Sequence, residues 1–150
     1  MIKLIMIAFL ALVNLQAQVC NSCSIGKNMA KCDYYVMRKH DLKHQDSCVV
    51  YAKSIDSDGM FAKASWYYLL GGDKDSAKKS ALEALNIGHH YAAEYLGFVY
   101  IIENDIKNAK QKLIFFKNRV KNIEFAKKDI KSIKAIYKKF DDKAVYKILY

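Results

Sequence analysis

Gly26, Gly59 and Gly88 divide the first hundred residues into units of 33 and 29 residues. Each glycine is followed by an alanine at a similar offset (Ala30, Ala62, Ala92) and then by aromatic residues: Tyr34-Tyr35, Trp66-Tyr67-Tyr68, and Tyr95 with Phe98 and Tyr100. A second signal runs out of phase with the first. Asp73-Lys-Asp-Ser-Ala77 and Asp105-Ile-Lys-Asn-Ala109 lie 32 apart, behind the turn residues Gly72 and Asn104. An aspartate there accepts from the free N–H groups of a helix start, and the alanine after it lets that helix pack closely. Glycine suits the left-handed residue just past a helix end. The unit is therefore helix, short turn, helix, and a period of this size marks an array of such units.

The remaining composition agrees. The chain has 150 residues with no proline and only 6 glycines, whereas a β-sandwich or barrel needs many turn residues. Hydrophobic residues make up 53%, enough for a packed core. We expect an all-α chain with helix pairs 28–40 with 45–57, 60–70 with 73–87, and 89–103 with 105–119, and with residues 18–25 as the remnant of a preceding helix. The last third changes pattern. Ile123, Ala126, Ile130, Ile133, Tyr137 and Phe140 form one apolar stripe at helical spacing, and the lysines at 121, 127, 128, 131, 134, 138 and 139 fall off it. Residues 121–139 are expected to form one helix whose stripe seals the open end of the array, with a short helix after Asp141-Asp142. Charge is just as uneven. Residues 105–150 hold 14 basic and 5 acidic side chains, and residues 1–104 hold 11 and 10. Lys127, Lys131 and Lys134 are the candidates for contact with an anionic partner.

Met1-Ile2-Lys3, ten apolar residues from Leu4 to Val13, and Asn14-Leu15-Gln16-Ala17 follow the order of a secretory leader, cleaved after Ala17. The apolar run is shorter than the about 20 residues a membrane span needs. The mature chain is thus expected to be exported and to carry no transmembrane segment. Export changes how Cys20, Cys23, Cys32 and Cys48 read, because an even set in an oxidising compartment favours two disulfides. A redox pair at Cys20-x-x-Cys23 has no preceding strand, and a four-thiolate zinc site would need a different spacing. Four cysteines allow three pairings, and the residues themselves select none.

Ala84-x3-Gly88-x3-Ala92-x3-Leu96-Gly97-x2-Tyr100, followed by Asn104-Asp105-x3-Ala109, resembles a tetratricopeptide-type repeat and is closest to the Sel-like variety. The middle unit keeps Gly59, Ala62, Trp66, Gly72, Asp73, Ala77, Ala81 and Ala84, and the first has Cys48 where Ala77 and Ala109 stand. The resemblance covers about residues 20–120. It implies a right-handed α/α solenoid of about three helix pairs over residues 18–120, after a leader over 1–17 and before a basic capping helix over 121–150. Cys23-x2-Gly26-x3-Ala30-x-Cys32 is similar to the secreted cysteine-rich Sel-like proteins of Helicobacter, in which a disulfide joins helices across an inter-repeat turn. That likeness makes Cys23–Cys32, with Cys20–Cys48, the first choice of pairing. The penicillin binding and hydrolysis linked to those proteins is not carried over to any residue of this chain.

No Gly-rich phosphate loop, Gly-x-Ser-x-Gly elbow or His-Glu-x-x-His motif is present, so no catalytic residue, metal site or cofactor is expected. His40 with His44, and His89-His90, read as solvated residues at turns. In a repeat of this type the first helix of each pair lines a groove for partners. Phase-matching to Gly97 puts Tyr91, Glu94 and Phe98 there, with Tyr68 from the middle unit. The expected function is a protein-interaction or scaffold module with a protein partner in the periplasm or cell envelope, and nucleic acid is not an expected ligand. The alternatives are a cell-wall-active hydrolase of the cysteine-rich Sel-like type, and binding of an anionic envelope polymer or surface through the Lys-rich tail.

Overall fold

The computed structural model describes residues 24–150, and every regular element among the described residues is a helix. Residues 24–31 are α-helical and run on as a π-helix over Cys32–Arg38; the two together are α1. A 3-10 turn over Leu42–His44 leads into α2 (Gln45–Ser57). Then come α3 (Phe61–Leu70), α4 (Lys74–Asn86), α5 (Ala92–Ile102), α6 (Ile106–Arg119), α7 (Ala126–Ile136) and α8 (Asp142–Leu149). From α2 to α6 each helix packs on the next, and α3 also touches α5. The all-α class and the helix pairs read from the sequence are present. Among the described residues no helix is long and apolar enough to cross a membrane. The expected leader, Cys20 and Cys23 lie outside the described residues.

One turn design sets the pairs. His40, Gly72 and Asn104, successively 32 residues apart, all have positive φ (55°, 80° and 61°). The next residue is aspartate each time, and its carboxylate accepts a backbone N–H of the following turn: Lys43 from Asp41 at 3.1 Å, Ser76 from Asp73 at 3.0 Å, and Asn108 from Asp105 at 3.1 Å. The Asp73 and Asp105 N–H groups close back on the carbonyls of Tyr68 and Tyr100, five residues earlier. The Asp41 N–H reaches Tyr35, six residues back. The wider π-turn of α1 absorbs that extra residue. Between pairs, Gly59 and Gly88 take the left-handed conformation, as expected of residues just past a helix end.

Gly97 explains itself by proximity. A Cβ on it would sit 2.6 Å from Leu113 Cδ2, so α5 and α6 meet where no side chain fits. The position 32 residues earlier is Ser65. It is fully buried, and its hydroxyl donates to the Ala77 carbonyl at 2.9 Å. The middle unit thus replaces glycine by the smallest side chain that can hydrogen-bond the facing helix. Cys48, Ala77 and Ala109 are all fully buried, one in each second helix.

Three expectations are corrected. Gly26 is not a turn residue: it lies within helical residues 24–31, with no atom near its missing Cβ. The disulfide consequently joins Cys32 to Cys48 and not Cys23 to Cys32 or Cys20 to Cys48. Cys32 and Val36, one helical turn apart, are both fully buried, and the Cα atoms of Cys32 and Cys48 are 4.9 Å apart. Finally, 121–139 is not one helix. The Asn122 side chain accepts from the Glu124 N–H at 3.0 Å in a turn ahead of α7. The chain leaves α7 at Tyr137, which is extended, and Asp141 starts α8 by accepting from the Ala144 N–H at 3.0 Å.

Candidate functional site

The apolar stripe of the tail is buried as its spacing requires: Ala126, Ile130, Ile133 and Phe140 are each at most 1% exposed. Its destination extends further than the open end of the last pair. α7 packs against α3, while α8 lies against α6 and α7. Aromatic contacts fix the two ends of this segment. Before α7, Phe125 meets Tyr91 and Phe116 with ring centres 5.9 Å from each. After α7, Phe140 stands edge-on to Phe98 at 5.6 Å. At the chain end the Tyr150 hydroxyl donates to the Ile123 carbonyl at 2.8 Å, and Lys127 lies over the Tyr150 ring.

The four residues assigned to the groove therefore separate. Phe98 and Glu94 are fully buried. Tyr91 is 53% exposed at the rim. Tyr68 is buried elsewhere, with its hydroxyl 3.4 Å from the Asp56 carboxylate, which also accepts from Ser80 at 2.8 Å. Burial and the Asp56 charge push the Tyr68 phenol up to about 12.

Glu94 is the anomalous member. Neither carboxylate oxygen has a hydrogen-bond partner, and the charged neighbour acting on it is another acid, Asp129 of α7. Burial first, and then Asp129, hold the Glu94 carboxyl well above the usual range. Burial pushes Asp129 up to about 6, partly opposed by Lys128. Tyr95 is raised by burial and by both acids. The Asp129 side chain was legible as the lone acid among the lysines of the tail, at the edge of the apolar stripe, although the spacing alone does not say what it faces.

The three lysines do come together. Lys127, Lys131 and Lys134 line a cleft of about 400 Å³ with His40, Ile130 and Tyr146, and Asp142 is the one acid in its lining. Lys127 pairs with Glu124 at 2.7 Å and Lys134 with Asp142 at 3.1 Å. Lys134 also donates to the Phe140 carbonyl, so it ties α7 to the start of α8. Its hydrogen bond holds the Asp142 carboxyl below its ordinary value. Lys131 is exposed and makes no ion pair among the described residues. His40 reaches this cleft because its left-handed turn ends α1, a placement that the sequence spacing alone could not give.

The other histidines take separate positions. The His44 ring packs on Tyr35 at 4.2 Å, and His90 meets Phe115 at 5.5 Å. Among the described residues no three His, Cys, Asp or Glu side chains gather as metal ligands. No family model, curated protein or solved structure matches this chain.

Proposed function

We propose that this chain is an exported bacterial α/α-repeat protein of the tetratricopeptide/Sel-like kind, a short solenoid that works as a protein-interaction or scaffold module in the periplasm or cell envelope. The observation that carries the reading is the turn repeated at a 32-residue interval, with a positive-φ residue and a capping aspartate at each of its three occurrences. A chain that rebuilds one helix-pair joint this way is using stacked units, whose usual work is to present an extended surface to another protein. The Cys32–Cys48 bond supports an oxidising compartment. The test is crosslinking in the native envelope, followed by purification of the mature chain. A protein recovered in fixed ratio supports the reading. Recovery of the chain alone, at every crosslinker length, rejects it.

A second reading, binding of an anionic envelope polymer or surface, is favoured by the cleft of Lys127, Lys131, Lys134 and His40. Exposed charges of one sign in one concavity attract anions with an energy that added salt screens. Binding of the purified chain to a polyanion such as heparin should weaken with salt and with Lys131→Gln. Salt-independent binding would reject this second reading.

A further inference from the structure

The face made by α3 and α5 is occupied, but its occupant fits in shape and not in charge. The apolar side is well served: Ile130, Ile133 and Phe140 are buried there, with Phe140 on Phe98. The polar side is left unfinished. Glu94 is completely enclosed with two unpartnered oxygens, and the group that α7 brings near it is a second carboxylate. A buried carboxylate is stable only when hydrogen bonds or an opposite charge replace the lost water. The surroundings offer no such partner. Tyr95 lies next to Glu94 on its own helix, Tyr67 of α3 and Asp129 of α7 act on Tyr95, and the Tyr150 hydroxyl is already used on Ile123. Lys128 acts on Asp129 but does not contribute at Glu94.

We propose that this face is a helix-binding groove whose complete ligand is an amphipathic helix with a lysine or arginine where α7 carries Asp129, and that α7 is an internal, displaceable occupant of it. The apolar stripe of such a helix, at the spacing of Ile130, Ile133 and Phe140, repeats the contacts α7 makes. Its basic side chain gives Glu94 the charge partner that α7 withholds. An imperfect internal ligand of this kind lowers the apparent affinity of the groove and makes occupancy depend on a competitor that binds better. The linker from Val120 to Phe125 contains no helix, and α7 has no extensive contact with its chain neighbour α6, so the segment can leave without dismantling α6.

This inference rests on the interaction-module reading, and its test is separable from that of the reading. The probe is a fluorescent peptide of residues 123–140 carrying Asp129→Lys, mixed with the full-length mature chain. Its binding should be at least about tenfold tighter than that of the unaltered peptide, a difference of one decade in Kd. The gain should disappear against the Glu94→Gln chain, which keeps the shape of the groove and lacks the charge. The Asp129→Lys chain should melt at a higher temperature than the parent and should refuse the peptide, because its own α7 then completes the site. Equal binding of both peptides, or a lowered melting temperature for the Asp129→Lys chain, overturns the proposal. Should Glu94→Gln not fold, the Asp129→Lys chain alone decides it. A protein partner captured from the envelope by a chain that ignores the lysine peptide would uphold the interaction module and reject this groove.

Discussion

The helix pairs of residues 24–119 and the tail of residues 126–150 both bury an apolar stripe, but they specify its partner in different ways. In the pairs, the contact is local. A short turn with a fixed left-handed residue and a capping aspartate delivers each second helix onto the first. The tail has a cap at Asp141 and a stripe, yet its α7 lies on α3, nearly sixty residues away in sequence, with no turn to direct it there. Local geometry thus decides the pairs, and only complementarity decides the tail. A region placed by complementarity alone can leave a mismatch inside, and Glu94 against Asp129 is that mismatch.

The most severe way to break this division is Phe98→Ala. Phe98 is fully buried between its own pair and Phe140 of the tail. Its removal should cost about 3–5 kcal/mol. Chemical denaturation should show array and tail unfolding together, whereas a separate early transition for the tail would mean that the two regions are energetically independent. Ile133→Ala acts on the same seam from the tail side and should cost about 2–5 kcal/mol.

A lesser effect should be confined to the first pair. Replacing Cys32 and Cys48 by serine removes a bond that closes a loop of 16 residues, and should cost about 3 kcal/mol. Hydrogen exchange should rise in α1 and α2 and stay unchanged in α5 and α6. Peptide mapping without reduction should yield Cys32 linked to Cys48.

Titration sharpens the comparison from the tail side. Asp129 has a folded value raised to about 6 against a model value of 3.8. The folded state therefore binds its proton more tightly than the unfolded chain. That contribution to stability is fully present below the model value and is lost as pH rises through about 6. Between pH 4 and pH 7 the parent should lose about 1–3 kcal/mol relative to Asp129→Asn. Melting curves of the two proteins across that interval measure it, and parallel curves would remove Asp129 from the account. The smallest effect belongs to Lys131→Gln, which should shift stability by less than about 0.5 kcal/mol because the side chain is exposed and unpaired. Lys134→Gln should cost more than Lys131→Gln, since Lys134 also holds the Phe140 carbonyl and Asp142.

The same contrast explains what could be read from the sequence. The pairs were legible because Gly72-Asp73 and Asn104-Asp105 state the turn in residue types that few other conformations want. The third occurrence, His40-Asp41, stayed hidden because histidine is an uncommon left-handed residue and the extra residue of the π-turn shifts the phase. Gly26 misled in the opposite sense. It has the type of a turn residue and the place of a helical one, and the expected cysteine pairing followed it into error. For the tail, spacing revealed which side of α7 is buried, but an apolar stripe fits many surfaces. The groove residues Glu94 and Phe98 were placed on the right helix, and their cover was not foreseen because nothing local encodes it.

The contacts of the tail also carry a consequence for the number of units. Stacked arrays can in general gain or lose a unit, because each unit touches only its neighbours. Here α7 grips α3, Phe140 grips α5 and Phe125 grips α6. Inserting another pair of 32 residues between α4 and α5 would move those three anchors apart by about the 8–10 Å that separates packed helices. The tail would then reach one anchor and miss another. It acts as a gauge, admitting arrays of this one length and leaving longer or shorter ones unsealed.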